Sequence, residues 1–127
     1  MVVFAKRILM AMIRFHQEGK YMKLVVFNVG SALCVYAEHQ TTRIVFDIGK
    51  GNNFSPVNDF LLPLYEKRGE HRLKNRNNRY GISQLIVSHP HKDHISDIQE
   101  FDKNFYAHLL TTPNSKSPNG NPQNINW

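Results

Sequence analysis

Leu85-Ile86-Val87 runs without a break into Ser88-His89-Pro90-His91-Lys92-Asp93-His94, and this junction constrains the fold more than any other stretch. A compact, fully apolar run that includes β-branched residues reads as a buried strand. Ile95, Ile98 and Phe101 then recur at three-residue spacing, the rhythm of a helix that starts just past His94. The prediction is a strand, a polar loop and a helix, with three histidines and an aspartate within six positions of the loop. A chain still extended at His89 and His91 points both imidazoles to one side, where they can share a divalent ion. The turn into the helix brings Asp93 and His94 round towards a second ion. A carboxylate beside an imidazole suits Zn2+, Mn2+ or Fe2+ better than Ca2+. Two such ions about 3.5–4 Å apart polarise a substrate oxygen and bring the pKa of a bridging water towards 7, which predicts hydrolysis by a metal-bound hydroxide. The competing reading is a polar loop that happens to be rich in histidine. The isolated His16, His39, His71 and His108 take the default of structural or exposed residues.

The residues upstream supply the rest of a sheet. From Leu24 the apolar runs are short, rich in Val, Ile, Phe and Tyr, and separated by Gly, Asn or charged turns, the pattern of successive strands. They predict strands over 24–29, 32–38 and 43–47, joined by hairpin connections at Gly30-Ser31 and at 38–42 into an antiparallel meander. Val57, Phe60, Leu61, Leu64 and Tyr65 predict a helix over 57–67, interrupted or begun at Pro63. The Asn/Arg stretch up to Arg79 reads as a surface loop, and 105–110 as a second short buried strand. Three domain segments follow: an extra basic segment over 1–21, a folded unit over 22–111, and an irregular Asn/Pro-rich tail over 112–127. In the first segment Val3, Ile8, Leu9, Met12, Ile13 and Phe15 line one side of a short helix, and Met22 reads as a fresh start.

The chain has 127 residues, 41% hydrophobic and 20% charged, which bounds it to one globular domain and excludes a disordered or collagen-like chain. A lone cysteine, Cys34, excludes an intramolecular disulfide framework and fits a reducing, cytoplasmic compartment. Flanked by Leu33 and Val35 in a predicted strand, it reads as a buried structural thiol. No apolar run reaches the ~20 residues of a transmembrane helix. The formal net charge of +6 is concentrated in two blocks, residues 1–23 and 66–79. Such blocks attract phosphate-rich partners, although a charge run is more often a solvated face.

The residues Ser88 to His94 resemble the signature of the metallo-β-lactamase superfamily, and the order of Leu24 to Gly30, Asp47-Ile48-Gly49 and Leu85 to Ile95 resembles the amino-terminal half of that fold. Ser-His-Pro-His-x-Asp-His-Ile with Phe27-Asn28-Val29-Gly30 is most similar to the β-lactamase-like domain of competence-type DNA-uptake proteins and its stand-alone relatives. The chain departs from them at Asn28 and at Ser31-Ala32-Leu33, where they carry an aspartate and a Gly-Asp pair. The resemblance implies an α/β (α+β) fold, the amino-terminal half of a four-layer αββα sandwich, with a mixed, mostly antiparallel sheet and helices on one face. It implies that His89 and His91 ligate the first metal and Asp93 and His94 the second, that Asp93 belongs to the catalytic machinery, and that Asp47 supports the metal loop from behind. An aspartate that merely starts a turn before Gly49 is the rival reading of Asp47.

The superfamily completes its site with further ligands from a second half that packs on the first. The sequence therefore reads as a truncated metal-dependent hydrolase acting on an ester, amide or phosphodiester, or as one completed by a second chain or a homodimer. The alternative is a non-catalytic fragment or interaction protein that keeps half of the fold. The basic loop over 67–79 points towards a phosphorylated substrate. Charge alone leaves room for nucleic acid, but the loop holds no aromatic residue for stacking.

Overall fold

The computed structural model describes residues 2–5, 8–11 and 22–113, with side chains from 22 onward. Its centre is the meander that the sequence predicts: β3 (Met22–Phe27), β4 (Cys34–His39) and β5 (Thr42–Ile48), paired antiparallel in that order. The turn between β4 and β5 is tight because Gln40 adopts a left-handed φ of 54°. Each strand alternates buried and less buried residues, so one face is core. Val25, Tyr36, Val45 and Leu85 form a buried row across four strands.

The fourth strand of that row is β7 (Arg79–Ile86), parallel to β5, and β8 (Phe105–Thr111) lies parallel to β7. Tyr80 pairs both with Arg72 of the short β6 (Arg72–Leu73) and with Phe105, so β6 and β8 occupy opposite edges of β7. β1 (Val2–Ala5) and β2 (Ile8–Ala11) add an antiparallel hairpin beyond β3, giving eight strands among the described residues. Parallel neighbours need crossovers. The first holds a π-helical turn (Val57–Leu61) that continues into α1 (Leu62–Lys67), and the second holds α2 (Lys92–Ile95) and α3 (Ile98–Asn104). The architecture is a mixed sheet with helices packed on it, and no helix among the described residues is long and apolar enough to cross a membrane.

An aromatic group joins the helices to the sheet. Tyr65 of α1 meets Phe105 edge-on at 5.0 Å and Tyr80 at 5.3 Å, and Phe60 meets Phe27 edge-on at 4.9 Å. Truncating a buried ring such as Tyr65 would cost about 3–5 kcal/mol.

Several expectations change. The first segment is not a helix over 2–11 but a hairpin in the same sheet; its remainder, 12–21, and the tail from 114 lie outside the described residues. Pro63, expected to begin or interrupt the helix, stands in the first turn of α1, directly after the π-helical turn. The widened turn in which the Leu62 amide donates to Val57 O leaves room for a ring that would otherwise clash one turn back. The basic stretch is no simple loop, since β6 and a 3-10 turn (Lys74–Arg76) fold it back on β7, with Asn77 and Asn78 both in left-handed conformations. The strand before the histidines starts at Arg79 rather than Leu85. The helix after it starts at Lys92, within the motif, and breaks at Ser96-Asp97. β8 is an edge strand, with Leu109 and Leu110 exposed rather than buried.

The opposite face of the sheet is also apolar. Leu24, Ala37, Ile44, Gln84 and Leu109 form one row and Val26, Val35, Phe46 and Ile86 the next, with Phe46 39% and Leu109 56% exposed.

Candidate metal centre

β5 and β7 are parallel, so their carboxyl ends emerge side by side, and both carry the residues singled out above. The first is Asp47. Val35 pairs with Phe46 and Cys34 with Ile48, which leaves Asp47 as the extra residue of a β-bulge, with a φ of 53°. Its side chain is only 2% exposed and turns towards the loop that follows β7. Asp47 Oδ1 accepts the Ser88 amide at 2.7 Å, and Oδ2 accepts the Ser88 hydroxyl at 2.6 Å and faces His94 Nδ1 at 2.9 Å. This geometry disposes of the simple turn-starting reading of Asp47.

The rest of 48–50 laces the same loop. Ile48 O accepts the Asp97 amide at 2.8 Å, and the Lys50 amide donates to Ser96 Oγ at 2.8 Å. Gly49 packs where no side chain fits: a Cβ there would collide with the Asp93 carbonyl oxygen and stand 2.8 Å from Leu33 O and Ala32 Cβ. Leu33 in turn donates its amide to that Asp93 carbonyl at 3.2 Å. Asp97, 1% exposed, closes the base. Its Oδ2 accepts Ser55 Oγ at 2.7 Å and the Val57 amide at 3.0 Å, while Oδ1 has no partner among the described residues. Burial pushes its carboxyl up, against the pull of those two hydrogen bonds. Burial likewise pushes the Cys34 thiol well up, helped by the charges of Asp97 and Asp47, which fits an inert structural thiol.

On this base the three imidazoles gather. The His89 ring lies 5.3 Å from His94 and 5.8 Å from His91 between centroids. His89 Nδ1 is 3.2 Å from Ser88 Oγ. His94 Nδ1 faces the Asp47 carboxylate, which assigns its proton to that nitrogen and leaves the lone pair of the neutral ring on Nε2. That Nε2 lies 3.4 Å from Asp93 Oδ2. Two lone-pair atoms face each other there, an arrangement that calls for a proton on Nε2 or a cation between them. Donors bound at zinc distances to one tetrahedral ion stand about 3.4 Å apart, so this pair fits an edge of such a site. Yet no group of three His, Cys, Asp or Glu donors converges among the described residues. The structure therefore brings Asp93, His94 and Asp47 together, sets His89 and His91 beside them, and closes no cage.

Beside Asp93 opens a cavity of about 730 Å3, walled by residues 28–32, 50–54 and part of 92–96. Lys50, Lys92 and Asp93 are its charged residues, and no histidine lines it. The basic block lies elsewhere: β7 spans eight residues, so about 25 Å separates residues 72–79 from the histidine loop. There Arg76 lies over Tyr106 at 4.4 Å and Arg72 over Tyr80 at 4.3 Å, so the aromatic neighbours that the loop itself lacks come from β7 and β8. His108 is exposed beside Tyr106, with Nε2 2.9 Å from where a Gly81 Cβ would sit, far along the strand from the site. Sequence reasoning missed Ser88, Gly49, Asp97 and the two lysines as site residues. The available signals were the glycine directly after Asp47-Ile48 and the aspartate directly before the Ile98 helix.

No family model matches the chain, and no curated protein and no solved structure matches it.

Proposed function

We propose that the carboxyl end of β5 and β7 is the metal centre of a hydrolase of metallo-β-lactamase type, with the sheet and its helices as the amino-terminal half of an αββα sandwich. His89 and His91 hold the first ion, and Asp93 and His94 the second. Zn2+ suits these donors best, with Mn2+ and Fe2+ as substitutes. A divalent ion bound here would polarise a substrate oxygen and lower the pKa of water. Asp47 orients His94, fixes its tautomer and holds the Ser88 backbone, the support that ligating imidazoles need. Asp93 is the sole carboxylate lining the cavity; with Oδ2 as the ligand, its other oxygen would take the proton of an attacking water. The observation that carries this reading is the 3.4 Å edge between His94 Nε2 and Asp93 Oδ2. Among the described residues no third donor joins either pair, so catalytic zinc here would require further ligands from outside them.

A second reading, a non-catalytic interaction protein, draws on the same open donor set and on the apolar outer face with Phe46 and Leu109 exposed. Hydrolysis of chromogenic esters and phosphodiesters separates the two. Activity abolished by chelation, restored by Zn2+ and lost in Asp93→Asn supports the hydrolase, and activity indifferent to both treatments refutes it.

A further inference from the structure

The cavity beside Asp93 carries two cations of its own. Lys50 stands in one wall, in the loop that leaves β5, and Lys92 in another, at the start of α2. Both are exposed, and neither pairs with a carboxylate among the described residues. Lys50 lies close enough to Asp97 and Glu100 for its charge to reach them without bonding to either. Of the other cations, Arg43, Arg68, Arg79 and Lys103 meet carboxylates, Arg72 and Arg76 lie over tyrosine rings, and the exposed Lys67 and Lys74 do not line this cavity. The two walls are fixed to each other through the Lys50 amide on Ser96 Oγ and through Gly49 against the Asp93 carbonyl. Both lysines therefore stand on one backbone-tied rim.

We propose that this cavity binds a small phosphate ester, with its phosphate oxygens on Lys50 and Lys92 beside Asp93. The proposal rests on the reading of the site as a hydrolase for the bond that is cut, and on the lysines alone for binding. Two separate ammoniums are compact point charges that suit a phosphate dianion, whereas a monoanionic carboxylate is matched best by an arginine fork, and the cavity holds no arginine. A volume of about 730 Å3 suits a small molecule. This places phosphate recognition at the cavity and not on the basic hairpin about 25 Å away at the other end of β7.

The test is calorimetric titration of the full chain, in chelator, with phenyl phosphate, inorganic phosphate and benzoate. Wild type is compared with Lys50→Gln, Lys92→Gln, the double lysine variant and Lys74→Gln, at the other end of β7. Phenyl phosphate affinity should fall about tenfold for each cavity lysine, as a lost charge-assisted bond implies. It should stay unchanged in Lys74→Gln and exceed that of benzoate. Circular dichroism keeps the comparison fair, since two exposed side chains without partners can be changed without unfolding the chain. Equal affinity in wild type and the double lysine variant overturns the proposal. So does benzoate binding as tightly as phenyl phosphate, or a single-stranded oligonucleotide far outcompeting both through the same lysines. Metal content is read on parallel samples of the same proteins kept free of chelator. A wild type without metal there sinks the hydrolase reading, and a lysine-dependent phosphate affinity in chelator still upholds this proposal.

Discussion

The two ends of the parallel pair β5 and β7 are built on opposite principles. At the amino end a cluster of charges is answered around Glu38. Glu38 accepts hydrogen bonds from Tyr36 Oη at 2.9 Å, Arg43 Nε at 3.2 Å and Arg68, and Arg43 also bonds Glu70. Burial alone would raise the Glu38 carboxyl, but Arg68 and Tyr36 hold it below the usual range. At the carboxyl end the backbone is just as tightly tied, through Asp47, Gly49 and Asp97, yet the groups it presents are left open. His89 and His91 are exposed, His94 Nε2 faces a carboxylate, and Lys50 and Lys92 meet no carboxylate among the described residues. The lesson is that a closed ion-pair network marks an end that holds the fold together, while a rigid base under unsatisfied groups marks an end that waits for a ligand.

The largest expected effect falls on the tied backbone. Gly49→Ala forces the Asp93 carbonyl and the Leu33 strand entry apart, and should cost about 3 kcal/mol in urea unfolding as well as abolishing zinc uptake. The amino end should respond differently. Glu38→Gln breaks a mostly buried network and should cost about 2 kcal/mol at pH 7 without touching zinc or phosphate affinity. Because the folded carboxyl titrates below its unfolded value of about 4.3, the stabilisation is whole above that pH and is lost as pH falls through the folded value. Stability curves of variant and wild type should therefore converge in acid, and a gap that persists at pH 2 would break the comparison.

Smaller effects separate support from ligation. Asp47→Asn leaves one acceptor in place but turns an amide towards Ser88 or His94, and should cost about 1 kcal/mol of stability while weakening zinc 10–100-fold. His91→Ala, on an exposed side chain, should shift stability by less than about 0.5 kcal/mol yet lower zinc binding sharply. Equal losses of stability and affinity in these two variants would erase the distinction between base and ligand.

The meander was legible because β-branched residues alternate there and the turns carry their own signals. The strand–loop–helix at the histidines was legible for the same reason. The hairpin of β1 and β2 was not, since Val3, Ile8 and Leu9 satisfy a helical stripe as readily as a strand, and pairing with β3 decides between them. Gly81 hid the first half of β7, although its missing side chain is what gives His108 room on the next strand. The bulge at Asp47 depends on the register against β4, which sequence spacing does not carry. Lys50 and Lys92 share a cavity only because two crossovers bring their loops together, so the basic block drew attention to the wrong end of the strand.

Zinc bound per chain after gel filtration, measured by elemental analysis on the full-length protein and on His89→Ala/His91→Ala, tests the central claim most directly. The account predicts zinc in the wild type and its loss in the variant with the fold intact. Zinc absent from both, or retained equally by both, would contradict a metal centre at the carboxyl end of β5 and β7.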